Sequence, residues 1–264
     1  MNLLTDKFAL ITGASRGLGR EIALAYAKEN VRGLTLVART IEPLQKLKSE
    51  IAEITPKAQI ALVQADLSSP ADVERAAAIT LEACDGSLDV LINNASILGP
   101  VPMSFLLDYP AEDFQQVLQV NLTAPFLLIQ NLIGAMIERG GSIINVTSDA
   151  GRIGYPGWGA YGISKFGLEG LSQTWASELV ETSVRVNWVD PGSMNTAMHR
   201  DAEPDEDPSA WANPADVTEI FVLLASDTGA HIRGQRFEAQ SDWRQTLSAL
   251  SVGAEAGAPW ATKI

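Results

Sequence analysis

The sequence predicts an α/β fold: a single Rossmann-type domain, doubly wound, on a parallel sheet of about seven strands with helices on both faces. Two observations carry this. Short apolar runs alternate with helical segments from the N-terminus onward, and a glycine-rich turn joins the first run to the first helix. Strands separated by helices pair in parallel, because each connection must cross the sheet.

The elements follow in order. Lys7–Thr12 reads as a buried strand and Arg16–Glu29 as a helix. Gly33–Ala38 is the second strand; Glu42–Ile54 is a helix with Pro43 in its first turn, where a missing N–H costs nothing. Gln59–Ala65 is the third strand, with a helix from Pro70 to about Cys84. Asp89–Asn93 precedes a long helix, Ala111–Glu138, and Gly141–Val146 precedes a helix over Ala160–Val180. Val184–Val189 is the sixth strand, a helix spans about Pro214–Ser226, and Gln235–Ala239 is the seventh strand.

Composition bounds the function. The chain has 264 residues, 46% hydrophobic and 19% charged, which suits a globular protein with a substantial core. Its net charge of −13 argues against nucleic acid or an anionic membrane as partner, and would suit a salty environment. One cysteine, Cys84, excludes an internal disulfide and a cysteine-rich zinc site. The first apolar run is too short for a signal peptide, and Leu122–Ile137, interrupted by Asn131, reads as a buried helix, so the expected location is cytoplasmic.

Three clusters carry chemistry. Thr12-Gly13-Ala14-Ser15-Arg16-Gly17-Leu18-Gly19 follows a strand and opens a helix, as a dinucleotide site requires. Gly13 permits the tight turn, Gly17 lets the backbone approach pyrophosphate, and Gly19 lets the helix pack on the strand; the helix N-terminus faces the phosphates. The second strand ends Val37-Ala38-Arg39, with no carboxylate to hold a ribose 2′-hydroxyl. Arg39 and Arg16 instead offer two cations to a 2′-phosphate, so NADP(H) is expected over NAD. Tyr161 and Lys165 stand four residues apart, on one face of a helix. An ammonium beside a phenol favours phenolate, so the pair is a candidate proton donor.

With Asp66, Asn93-Asn94-Ala95, Asn121, Ser148 thirteen residues before Tyr161, and Pro191-Gly192 with Thr196, these motifs occur in a fixed order. The chain resembles the short-chain dehydrogenase/reductase superfamily over residues 7 to about 240, and its last quarter resembles a little-characterised bacterial subgroup. The resemblance implies Tyr161 as general acid/base, Lys165 lowering its pKa and holding the nicotinamide ribose, and Ser148 donating to the substrate oxygen. It implies that Asn121 anchors a water on the proton relay. Ser15, Arg16, Gly17, Leu18 and Arg39 would hold the cofactor, Asp66 and Leu67 the adenine, Asn93 and Ala95 its centre, and Pro191, Gly192 and Thr196 its nicotinamide end. The implied reaction is reversible hydride transfer between nicotinamide and a ketone, aldehyde or secondary alcohol. A non-catalytic NADP(H)-binding sensor or scaffold is the alternative, but would have no need of Asn121, Ser148, Tyr161 and Lys165 together. The longer sugar-nucleotide epimerase branch would need an extra C-terminal domain. Ser96 stands where the family usually has glycine and could crowd the adenine ribose.

The rest reads quietly. His199 and His231 lack partners at ligand spacing, and Asp201–Asp207 reads as a solvated loop, not a calcium site. Residues 193–212 are the expected flap over the substrate, with Trp158, Tyr155, Met194, Met198 and Leu98 making an apolar pocket. The dehydrogenase domain is expected over 1–240. The tail 241–264 is expected to be partly mobile, or packed on a partner subunit through Trp243 or Trp260. Apolar residues spread widely around the helices 111–138 and 160–180 predict a homodimer, or a homotetramer.

Overall fold

The computed structural model describes residues 2–245 and 247. Phe8–Thr12 (β1) is buried along its whole length, as befits a strand covered on both faces. Phe8 and Leu10 join the core on one side of the sheet, Ala9 and Ile11 the core on the other. Gly17–Lys28 (α1), Gly33–Ala38 (β2), Ile41–Ile54 (α2), Gln59–Gln64 (β3), Pro70–Ala83 (α3) and Val90–Asn93 (β4) follow. Ser69 caps α3 through its hydroxyl, which accepts from the Asp72 N–H, and Pro70 occupies the first turn. Ala111–Leu118 (α4), Ala124–Ile137 (α5), Gly141–Val146 (β5), Gly159–Glu178 (α6) and Val184–Asp190 (β6) come next. Ala197–Ala202 (α7), Glu219–Ala225 (α8) and Arg236–Glu238 (β7) complete the series.

The seven strands pair in parallel in the order β3-β2-β1-β4-β5-β6-β7. Helices α1, α2 and α8 cover one face through residues such as Ile22, Leu47 and Phe221; α3 and α5 cover the other through Val73, Leu128 and Leu132. Chain order reverses between β1 and β4. In an open parallel sheet that reversal leaves a crevice at the carboxyl ends of the two strands. The glycine turn leaves β1 there and Asn94-Ala95 leaves β4.

Four expectations need correction. The helix read as continuous from Ala111 to Glu138 is broken by one wide turn, Gln119–Thr123, with i→i+5 geometry. It forms because Asn121 is pulled toward another segment: its amide oxygen accepts from the Ile97 N–H at 2.9 Å and its amide nitrogen donates to the Ile97 carbonyl at 2.9 Å. The helix expected over Pro214–Ser226 is a 3-10 turn, Pro214–Val217, followed by α8. The acidic run Asp201–Asp207, read as a loop throughout, has its first two residues in the last turn of α7, whose start is capped by Thr196 accepting from the His199 N–H at 3.2 Å. Trp243 is buried in this chain's own core and so faces no partner subunit; Trp260 lies outside the described residues.

Among the described residues, one helical run, 111–137, is long and apolar enough by length and composition to cross a membrane. Its Leu128, Ile129, Leu132 and Met136 are packed against the sheet, which accounts for much of that apolar character.

Candidate active site

The crevice is a cavity of about 430 Å³ at the carboxyl end of the sheet. Thr12, the last residue of β1, ties its two sides together. Its hydroxyl accepts from the N–H groups of Asn94 and Ala95, both at 3.0 Å, and the Asn94 amide donates to the Thr12 carbonyl at 2.8 Å. Gly13 has φ +66°, and a Cβ there would lie 2.9 Å from the Ala95 Cα. A Cβ on Gly19 would lie 2.5 Å from the Gly13 carbonyl oxygen. Each position therefore excludes a larger residue for a separate reason. Arg16 precedes α1 without making a side-chain cap, so the first-turn N–H groups are left for another acceptor. Arg16, Arg39, Asp66 and Leu67 line the same cavity.

The other end of the cavity is built on α6. Tyr161 and Lys165 lie one turn apart and both line it. The Lys165 ammonium is 5.4 Å from the centre of the Tyr161 ring and donates to the Val146 carbonyl at 2.8 Å. Trp158 leans on Tyr161 with ring centres 5.5 Å apart, and Leu98, Ala150, Met198 and Ala202 complete an apolar surround. The Ser148 hydroxyl donates to an Asp149 carboxylate oxygen at 2.8 Å and accepts from the Ala150 N–H at 3.2 Å. Tyr155 donates to the other oxygen of Asp149 at 2.9 Å. Asn121 is buried and also donates to the Ser164 hydroxyl at 3.0 Å, which joins the wide helix turn to α6.

Burial governs the protonation of this pair. It pushes the Tyr161 phenol well above its ordinary range; the neighbouring Ser148 hydroxyl pulls the other way, and Asp190 and Asp149 add to the rise. Burial also brings Lys165 down to about 8, against the opposing pull of Asp190. The direction is thus opposite to the lowering expected from the lysine neighbour, because burial dominates.

A glycine cradle at a strand reversal, facing a tyrosine–lysine pair across one cavity, is a family arrangement, and the comparisons agree. The sequence profile of the short chain dehydrogenase family matches residues 7–207. The chain belongs to the short-chain dehydrogenase family. It is 35% identical to the uncharacterized oxidoreductase YciK of Escherichia coli, over 94% of this chain and 97% of that one. It is 36% identical to a 3-oxoacyl-[acyl-carrier-protein] reductase of Synechocystis, over 90% of this chain and 96% of that one. Among solved structures, a short chain dehydrogenase from Pseudomonas syringae superposes with a TM-score of 0.85 at 37% identity, covering 90% of this chain and 96% of that one. One from Escherichia coli CFT073, complexed with NADPH, superposes at 0.83 and 34% identity, covering 91% of this chain and 99% of that one.

This short-chain dehydrogenase brings most of the anticipated residues to one cavity. Gly13, Ser15, Arg16, Gly17, Leu18, Arg39, Asp66, Leu67, Ala95, Tyr161, Lys165, Pro191, Met194 and Thr196 line it. Asn93 does not: it is buried in β4 and donates to the Asn145 amide oxygen at 2.8 Å, while Asn94 takes the place on the wall. Strand alternation explains the exchange, since neighbouring side chains point to opposite sides. Gly19 lies behind the wall and serves helix packing. Gly192, with φ +70°, packs under the Gln240 side chain. Asn121, Ser148 and Trp158 support or flank the pair from outside the cavity wall. The sequence reading missed Thr147, Asn195 and Arg200, all on the wall. Arg200 lay one helical turn past Thr196, a spacing that could have found it. Ser96 lines the cavity, and its buried hydroxyl has no partner among the described residues.

Proposed function

We propose that this short-chain dehydrogenase reduces a ketone or aldehyde with NADPH, and oxidises the matching secondary alcohol in reverse. The residues present fit the cofactor. A tight glycine turn, an uncapped helix start, two arginines on the wall at the end of β2 and the start of α1, and the unpartnered Ser96 hydroxyl are the features a phosphorylated dinucleotide would use. Arg16 and Arg39 would pair the 2′-phosphate; Ser15, Gly17 and Leu18 would meet the pyrophosphate, Asp66 and Leu67 the adenine. Ala95, Pro191 and Thr196 would hold the rest. NADPH, when bound, supplies the hydride.

The observation that carries the reading is the Tyr161 phenol buried beside the Lys165 ammonium at the end of that cavity. Reduction develops negative charge on the carbonyl oxygen, and Tyr161 delivers the proton that quenches it. Ser148 donates a second hydrogen bond to the same oxygen once its hydroxyl turns from Asp149. Lys165 holds positive charge near the phenol and eases the proton's departure. Asn121 sets the wide turn that carries the relay toward Lys165. Met194 lines the cavity and Trp158 backs the Tyr161 ring, so the substrate is expected to present an apolar group next to its carbonyl. A cytoplasmic location goes with this reading, as do an SDR domain over 1–240 and self-association into a dimer or tetramer.

The test is Tyr161→Phe, which keeps the ring and removes the transferable proton. With NADPH absorbance followed over a panel of ketones and aldehydes, turnover should fall by about two to four orders of magnitude. NADPH affinity should stay near wild type. Retained turnover on a confirmed substrate would refute the role of Tyr161; a wild type that binds NADPH yet is inactive across the panel would favour a sensor.

A further inference from the structure

Behind the Tyr161–Lys165 pair, where β6 ends and β7 begins, the chain buries charged groups that the proposed reaction does not use. Asp190, Glu169 and Arg236 are all nearly enclosed, with side chains 8%, 8% and 12% exposed. The Arg236 guanidinium donates to Glu169 at 3.0 Å through Nε and to Asp190 at 2.9 Å through a terminal nitrogen. That same nitrogen reaches the Ser148 carbonyl at 3.3 Å, and the other donates to the more exposed Glu238 at 2.8 Å. Each carboxylate is also tied to the site. Glu169 accepts from the Thr147 hydroxyl at 2.9 Å, and Asp190 accepts from the Gly192 N–H at 2.9 Å. One guanidinium thus holds the backbone of Ser148 and pairs the two carboxylates that anchor its neighbours.

Buried carboxylates are stable only when paired and fully hydrogen-bonded. Arg236 provides the pairing, but it also decides how much of the Asp190 charge reaches the pair on α6. We propose that Arg236 is a positioning residue for proton transfer: it fixes the Ser148 backbone and masks Asp190, whose unmasked charge would act on Lys165 and Tyr161. This rests on the assignment of Tyr161 and Lys165 as the proton-transfer pair.

The charges around that pair come from several elements. Asp190 stands at the end of β6 and Asp149 after β5; both act on Tyr161, and Asp190 on Lys165. Arg236 and Glu238 lie on β7, and Glu169 shares α6 with the pair. Arg152 lies 3.8 Å from Glu238, and Glu206, Glu203 and Asp149 act on His199 of α7. The sign follows from the geometry. Neutralising Asp190 removes an anion that acts on Lys165, which then releases its proton more readily and titrates below about 8. Removing Arg236 takes away a cation and acts in the opposite sense, but less strongly, because burial already raises the Asp190 carboxyl and the unpaired group takes up a proton more readily.

The test needs no substrate, so it is independent of turnover. Lysine labelled with ¹³C at Cε is incorporated into the full chain, and Lys165 is titrated by NMR, its signal assigned by loss in Lys165→Met. Asp190→Asn, nearly isosteric and still able to accept from Gly192, should lower the Lys165 midpoint by about one pH unit. Arg236→Met should raise it by a smaller amount, since the unpaired Asp190 is partly protonated, Arg236→Lys should restore much of the wild-type value, and Glu238→Gln should leave it in place. A Lys165 midpoint that stays at the wild-type value in folded Asp190→Asn overturns the proposal, and that variant decides alone should Arg236→Met fail to fold. A shifted midpoint together with an active Tyr161→Phe enzyme would leave the electrostatics standing and remove the catalytic role of the tyrosine.

Discussion

Lys165 should make the fold less stable than a methionine in its place. Its side chain is buried, and burial brings its pKa from 10.5 to about 8. That difference corresponds to about 3 kcal/mol spent on keeping the ammonium charged inside the protein at neutral pH. Lys165→Met removes this cost and retains a long apolar stem. It also removes the hydrogen bond to Val146, and an unsatisfied buried carbonyl costs about 1–2 kcal/mol. The variant should therefore be more stable at pH 7 by about 1–2 kcal/mol while losing activity. The pH dependence separates this cause from better packing. The folded pKa lies below the unfolded one, so between about pH 8 and 10.5 the unfolded chain binds more protons and wild-type stability rises with pH. The advantage of methionine should shrink across that window, cross zero within it, and reverse to a deficit of about 1–2 kcal/mol at its upper end, where the uncharged amine still donates to Val146. Urea unfolding followed by tryptophan fluorescence, at pH 7 and near pH 10, measures both. A variant less stable than wild type at pH 7, or a difference that ignores pH, would refute the reasoning.

Two further outcomes follow. Arg39→Ala should cost NADPH about 2 kcal/mol of affinity and leave NADH nearly unchanged, as read by titrating each cofactor; equal wild-type affinities for the two would remove the 2′-phosphate assignment. Ile163 and Phe166 remain 42% and 46% exposed on α6, whose Gly167 packs against the half-buried Leu122 of the preceding helical run. Light scattering should give at least twice the 28.2 kDa of one chain, and Phe166→Asp should halve it; a fully active wild-type monomer would refute the interface.

What the sequence revealed, and what it hid, divides by the distance over which the deciding interaction acts. β2 and β5 were legible to the residue, because a glycine opens each and an apolar run fills it. The cradle was legible because its glycines answer to local backbone constraints. The wide turn at Gln119–Thr123 was not, since nothing within those five residues breaks a helix; its cause is Ile97, twenty-four residues earlier. α7 was hidden by the acidic, proline-containing run that follows it, although its cap, Thr196, was in view. Tyr161 shows the same limit in its chemistry. The spacing to Lys165 announced a cation and so a lowered pKa, while the larger effect, enclosure by Leu98, Trp158 and Met198, comes from three separate segments. Arg236 is the extreme case. Nothing near it in the chain distinguishes it from a surface arginine at a strand end. Its partners at Ser148, Glu169 and Asp190 lie eighty-eight, sixty-seven and forty-six residues away, and only the closed sheet brings them to one guanidinium. The groups proposed to perform the chemistry are announced by spacing; the charges packed around them are assembled by the fold.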